Sequence, residues 1–228
     1  MNEKYYPFDH EDLRPPIDDH WAAKRRLADA TRQLINASVT CTGGTAELNA
    51  IAEAIEGQAA QLAALPRLYS RTSFEAAGGH GDMGAIAYEL NPLDGKSNPL
   101  AAPIMVWMDD NGVYGSVTMG WQYEGPPNSV HGGFVAALFD QFLGVGQKIT
   151  GQPGMTGTLT VKYHKPTPLN TELTFTGKVI KVDGRKNTLG AEIWANGELT
   201  ASCEGIFISI NRDTYLRMKR MQESRTEG

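Results

Sequence analysis

The run 132–148, GGFVAALFDQFLGVGQK, constrains the fold of this chain more than any other stretch. Phe134, Val135, Ala136, Ala137, Leu138, Phe139, Phe142, Leu143 and Val145 cover most of a helix circumference, and a helix apolar nearly all round is buried. It therefore needs a layer to wrap it. Four β-rich runs follow, MTGTLTVKYHK, LTFTGKVIKV, NTLGAEIWA and LTASCEGIFISI, with turn chemistry at Pro166-Thr167-Pro168, Asp183-Gly184 and Asn196-Gly197. Before it, IMVWM and VYGSVTMG flank Asp109-Asp110-Asn111-Gly112, an antiparallel hairpin signal in which Gly112 is expected at positive φ. A hairpin, one helix and four strands predict an α+β fold with a sheet curled around a long central helix.

The N-terminal part reads differently. Asp18 and Asp19 are expected to cap a helix through HWAAKRRLADATRQLINA, broken at Thr42-Gly43-Gly44. A second helix is predicted from Thr45 to Pro66, with Leu48, Ile51, Ile55, Leu62 and Leu65 on one stripe. These helices are expected to pack on each other or on a partner. The glycines and prolines from Leu68 to Pro103 predict irregular connection. The stretch therefore divides into a helical and irregular extension over 1–98, a main domain over 99–212 and a polar tail over 213–228, expected to be a frayed helix.

Composition excludes several classes. The 228 residues are 41% hydrophobic and 21% charged with a net charge of −5, and the 21 basic residues are scattered, so no nucleic-acid partner is expected. No apolar stretch is long enough to cross a bilayer, and no apolar leader is visible at the N-terminus. Cys41 and Cys203 lie far apart and outside any C-x-x-C, which predicts two free thiols in a reducing, cytoplasmic setting. The five histidines have no zinc-ligand spacing, and no metal is expected. Residues 79–84 spell G-x-G-x-x-G, but no strand precedes them and no convincing helix follows, so a plain loop is expected. G-x-S-x-G is absent.

Asp140 is the odd member of the central helix. Desolvating an unpaired carboxylate is costly, so it is either a structural acid bonded to an N–H or a lysine, or a catalytic base. Gly132 and Gly133 begin the helix, where free N–H groups and the helix dipole suit a carbonyl oxygen acquiring negative charge, unless they serve only a tight turn. Seven residues separate Gly133 from Asp140, about 10 Å along the axis, too far for one small reacting group. An antiparallel copy of the helix from a second subunit would bring one chain's glycines to the other's aspartate.

Four pieces in this order, Gly125 to Asp140 (GPPNSVHGGFVAALFD), Met155-Thr156, Tyr163-His164-Lys165-Pro166-Thr167-Pro168 and Gly184-Arg185-Lys186, resemble the hotdog-fold acyl-CoA thioesterases, of the phenylacetate-pathway type and of mammalian thioesterase superfamily members 4 and 5. The resemblance runs from about residue 99 to 210. It implies a homodimer or dimer of dimers with shared active sites that hydrolyses an acyl-CoA thioester, with no cofactor because coenzyme A belongs to the substrate. It also implies Asp140 as base or nucleophile, Thr156 positioning water, Gly132 and Gly133 holding the thioester oxygen, and His131 beside them. Asn128, Lys165, Arg185 and Lys186 are then candidates for substrate contact, the cations for the CoA phosphates. His164 departs from the family, which has a basic residue there. The rival readings are a non-catalytic acyl-CoA or acyl-carrier binding protein and, last, a hotdog dehydratase.

Overall fold

A computed structural model describes residues 18–209 except 103, 110, 111 and 153. The expected C-terminal tail lies outside the described residues. The chain divides into two compact units, the first ending at Ala101 and the second beginning at Ala102.

The second unit is a sheet around a helix. Strands β1 (Met105–Asp109) and β2 (Gly112–Thr118) precede helix α5 (Gly132–Gly146), and β3 (Gly154–Tyr163), β4 (Glu172–Asp183), β5 (Lys186–Ala195) and β6 (Glu198–Ser209) follow it. All pairings are antiparallel, in the order β1-β2-β4-β5-β6-β3. The α5 side chains Val135, Leu138, Phe139, Phe142 and Leu143 are buried against Phe175, Leu189, Ile193 and Phe207 of the sheet. Phe142 and Phe139 meet Phe175 at ring-centroid separations of 5.3 and 6.1 Å. The wrapping layer demanded by the apolar helix is therefore built from strands on both sides of it in sequence.

Close approach explains several glycines. A Cβ on Gly177 would sit 2.8 Å from the Phe142 ring and 2.9 Å from Val113. Gly112, expected in the turn, is the first residue of β2 and stands in register with Asp109. A Cβ there would lie 2.5 Å from the Gly177 carbonyl oxygen, so the sheet partner requires glycine. Asn196 and Gly197 do adopt φ of 52° and 78°, a twist suited to a two-residue hairpin. The central helix stops at Gly146, and a 3-10 turn at Gln147–Thr150 replaces its expected last residues.

The first unit begins with α1 (Asp19–Thr40), whose N-cap Asp18 accepts the Trp21 N–H at 2.8 Å, and α2 (Thr45–Ala64), where the Gly44 N–H donates to Glu47. The segment read as irregular carries two short helices, α3 (Arg71–Ala77) and α4 (Met83–Leu90). Seven and eight residues are too few to register as periodicity, but Ser70 and Asp82 cap them through 3.1 and 2.9 Å bonds. The glycine-rich 79–84 segment thus opens a helix after all, with Gly79 and Gly81 at positive φ. Glu89 of α4, fully buried, receives Arg25 through both carboxylate oxygens and the Ser97 hydroxyl at 2.5 Å. Burial pushes the neighbouring Lys96 ammonium down to about 8, with Arg25 and Arg32 adding to the effect and Asp94 opposing it.

Candidate active site

The GPP-x-x-VHGG stretch is held by backbone bonds that join two of the sequence motifs. The Val130 N–H donates to the Thr167 carbonyl at 2.8 Å, and the Leu169 N–H to the Asn128 carbonyl at 3.2 Å. His131 donates its N–H to the Tyr123 carbonyl at 2.8 Å. A Cβ on Gly125 would lie 2.7 Å from the His131 Cα, so glycine is needed to fold the loop back on the histidine. Asn128 sits at the loop's crest with φ of 57° and its N–H on the Glu124 carboxylate at 2.7 Å.

His131 is the N-cap of α5. Its Nδ1 accepts the Gly133 N–H at 3.0 Å, so imidazole occupies a donor expected to meet substrate oxygen. That bond requires Nδ1 to be unprotonated. Tyr163, at the end of β3, donates its hydroxyl to the Gly132 carbonyl at 2.8 Å. Its ring lies over the glycine, where a Cβ would approach it at 3.4 Å. Sequence reasoning placed Tyr163 in a motif without giving it a role; nothing local signals a bond spanning 31 residues.

Asp140 is not buried in the single chain; it is half-exposed. Helical spacing puts it on one face with Gly133, Ala136, Ala137 and Gly144, the face turned away from the sheet. Nothing lies within 4 Å of a Cβ placed on Gly144. The Thr156 hydroxyl donates to the Asp140 carboxylate at 2.7 Å. The middle of α5 and the start of β3 are thereby joined by a side-chain hydrogen bond, beside a register shift between Thr156 and Thr158. Gly132, Gly133, His131 and Tyr163 form a second group at the start of the same helix, about 10 Å along its axis from Asp140.

The four substrate-contact candidates do not converge. Lys165 pairs with Glu198 at 2.7 Å, at the β5–β6 turn. Arg185 donates to the Ser209 carbonyl at 3.0 Å, and Lys186 stands in register with Ile208. Those two ends of β6 are about 33 Å apart, so on one chain Lys165 and the Arg185-Lys186 pair cannot meet one pyrophosphate. A groove of about 400 Å³ on the sheet, lined in part by Tyr114, Thr176, Lys178, Glu192 and Ser202, contains none of the motif residues. Burial pushes the Cys203 thiol up to about 12, with the Asp140 charge adding to the effect against a bond to Ala191, so Cys203 does not supply a thiolate. Both cysteines are free thiols. Among the described residues no cluster of metal ligands occurs, and no helix is long and apolar enough to cross a membrane.

An antiparallel sheet wrapped on one helix, with an acid and a hydroxyl paired at its open side, is the hotdog architecture. A family model described as the thioesterase superfamily matches residues 127–202. A crystal structure of a thioesterase superfamily protein is 36% identical, covering 82% of this chain and 90% of that one, with a TM-score of 0.70. The chain belongs to the thioesterase superfamily. Acyl-coenzyme A thioesterase THEM4 of Xenopus laevis is 34% identical over 89 residues, 38% of this chain and 40% of that protein. Its Bos taurus counterpart is 31% identical over 90 residues, 39% of this chain and 37% of that protein. The matched segment thus spans less than half the length of either curated relative.

Proposed function

We propose that this chain hydrolyses acyl-CoA thioesters in a homodimer whose sites are each shared between two protomers. The observation that carries the reading is the Thr156–Asp140 hydrogen bond on the uncovered face of α5. Asp140 takes a proton from water as the water oxygen attacks the thioester carbon. Negative charge grows on the carbonyl oxygen, and the Gly133 N–H of the second protomer receives it once the His131 side chain yields that donor. Collapse of the tetrahedral intermediate breaks the carbon–sulfur bond, and the proton held by Asp140 passes to the leaving CoA sulfur. Thr156 holds the carboxylate and leaves its second oxygen for water.

Two features support sharing between chains. The face of α5 bearing Asp140 is lined by Gly133, Ala136, Ala137 and Gly144, small enough for another helix to approach closely. Strand β3 lies at the sheet edge and most of its residues are exposed, which leaves an unpaired ladder for a second copy. In such a dimer Asn128 and Lys165, near one protomer's helix start, face the end of the partner helix, where Arg185 and Lys186 of that partner stand. These residues are the proposed contacts for CoA, with the forked and compact cations suited to its phosphates.

Free-thiol release from a panel of short, long and aromatic acyl-CoA esters tests the activity. Turnover by wild type that Asp140→Asn abolishes is expected. Equal inertness of both proteins with retained binding would establish the non-catalytic binding reading instead. Mixing Asp140→Asn with Gly133→Pro chains tests the shared site. Proline at this first-turn position removes the N–H while keeping helical φ, so hybrids recover one intact site and part of the activity. A mixture no more active than its components overturns the sharing, as does a strict monomer that turns over.

A further inference from the structure

We propose that α1 and α2 form an assembly interface closed by the same two helices of a second copy of this chain. Ala23, Leu27, Ala30, Leu34, Ala37 and Cys41 recur at alternating four- and three-residue steps along α1 and its C-cap. Leu48, Ile51, Ile55, Gln58, Leu62 and Leu65 do the same along α2 and its C-cap. Each set is the seam of a coiled-coil heptad, the pattern by which one helix inserts its side chains between those of another. Every one of these positions is exposed. Leu48, Ile51 and Leu62 keep 42%, 49% and 45% of their surface, and no residue of α2 is buried.

A helix of this length is marginal in water unless packing holds its apolar face, so an uncovered α2 needs a partner. The inner face of α1 is already used, by Trp21 and Ala28 and by Arg25 on Glu89, and its seam points elsewhere. Two observations commit the occupant to a second copy. The large aliphatic seam residues expose on the order of 600 Å² per chain, so mutual burial reaches about 1,200 Å², the lower bound of a stable interface. The charges at the seam edges are also complementary: the α2 seam is bordered by Glu47, on a helix with no basic residue, and the α1 seam by Arg26. Each α2 therefore lies across α1 of the other chain, with Gln58 as the polar seam residue that sets register.

A photoreactive benzoylphenylalanine at position 55 of the full chain tests this directly. Irradiation should give a band of doubled mass on a denaturing gel, at least tenfold above that from the same group at position 53 on the opposite face. Peptide mapping should place the junction within residues 19–40 or 45–65. Crosslinks only within one chain, or none in the purified protein, overturn the proposal; the latter would assign the seam to a different protein. In parallel, Ile51→Lys with Leu62→Lys should return the α2 amides to within about tenfold of unstructured exchange rates while the sheet amides stay protected. Unchanged α2 protection in that variant also overturns it. Neither readout depends on thioester turnover.

Discussion

The Thr156 hydroxyl reaches from the start of β3 to donate to Asp140 on α5 at 2.7 Å, on a side of that helix the described strands leave open. In the proposed reaction a carboxylate so held uses its second oxygen to accept the proton of the attacking water. Removing the carboxylate charge by Asp140→Asn is expected to lower kcat by roughly 100-fold or more, in the range for loss of a positioned base. Thr156→Ala should cost about tenfold in kcat with little change in KM, and Thr156→Ser should recover most of it, because the serine hydroxyl can make the same bond. Steady-state kinetics on one hydrolysed ester decide this; an equal loss in Thr156→Ser and Thr156→Ala would remove the hydrogen bond from the account.

His131 caps the helix that carries Asp140 through Nδ1 on the Gly133 N–H. His131→Ala should lower stability by about 1 kcal/mol, the usual cost of a lost N-cap, and His131→Asn should restore it because asparagine is a preferred cap. Denaturant midpoints of the three proteins measure the difference. If alanine and asparagine are equally destabilised, the imidazole contributes through packing on the Gly125 loop and not through its cap.

Gly177 faces the Phe142 ring across the core, with less than a van der Waals gap for a Cβ. Gly177→Val is expected to destabilise the sheet unit by about 1–3 kcal/mol or more, since β4 and α5 must separate to admit it. Pairing it with Phe142→Leu should recover part of that loss. A simple additive cost in the double variant, read by thermal or chemical denaturation, would place the clash elsewhere.

Lys96 makes the first unit sensitive to alkaline pH. Its folded pKa of about 8 lies below the 10.5 of an unperturbed lysine, so between those values the unfolded chain binds more protons and stability rises with pH. The penalty for keeping Lys96 charged is fully present below pH 8 and amounts to roughly 3 kcal/mol. Lys96→Met should stabilise the unit near neutral pH and flatten that rise. Cys203 acts with the opposite sign in the other unit: its thiol is held up to about 12, so unfolding is favoured as pH passes about 9. Amide exchange, read separately for residues 18–101 and 104–209, distinguishes the two slopes.

The turn chemistry and the apolar circumference of 132–146 were legible without coordinates because both depend on local spacing. So were the α1 and α2 boundaries, where Asp18 and the 41–44 break act within a few residues. The short helices α3 and α4 escaped because their two turns rest on caps and on burial of Ile86 and Glu89, and burial is a property of neighbours distant in sequence. At the site, sequence motifs supplied Asp140, Thr156 and the His131-Gly132-Gly133 run as separate pieces.

By itself the sequence determined that a helix apolar on nearly every side must be wrapped, that the wrapping must be β-structure, and that one acid sits in that helix. Only the tertiary structure decided that the acid faces the uncovered side, that Thr156 is its partner, and that Lys165 and Arg185 stand at opposite ends of the sheet. The reason is that helix period and turn conformation are set by residues a few positions apart. Strand register, and with it every contact between α5 and β3, is set by which face of the whole sheet closes over the core.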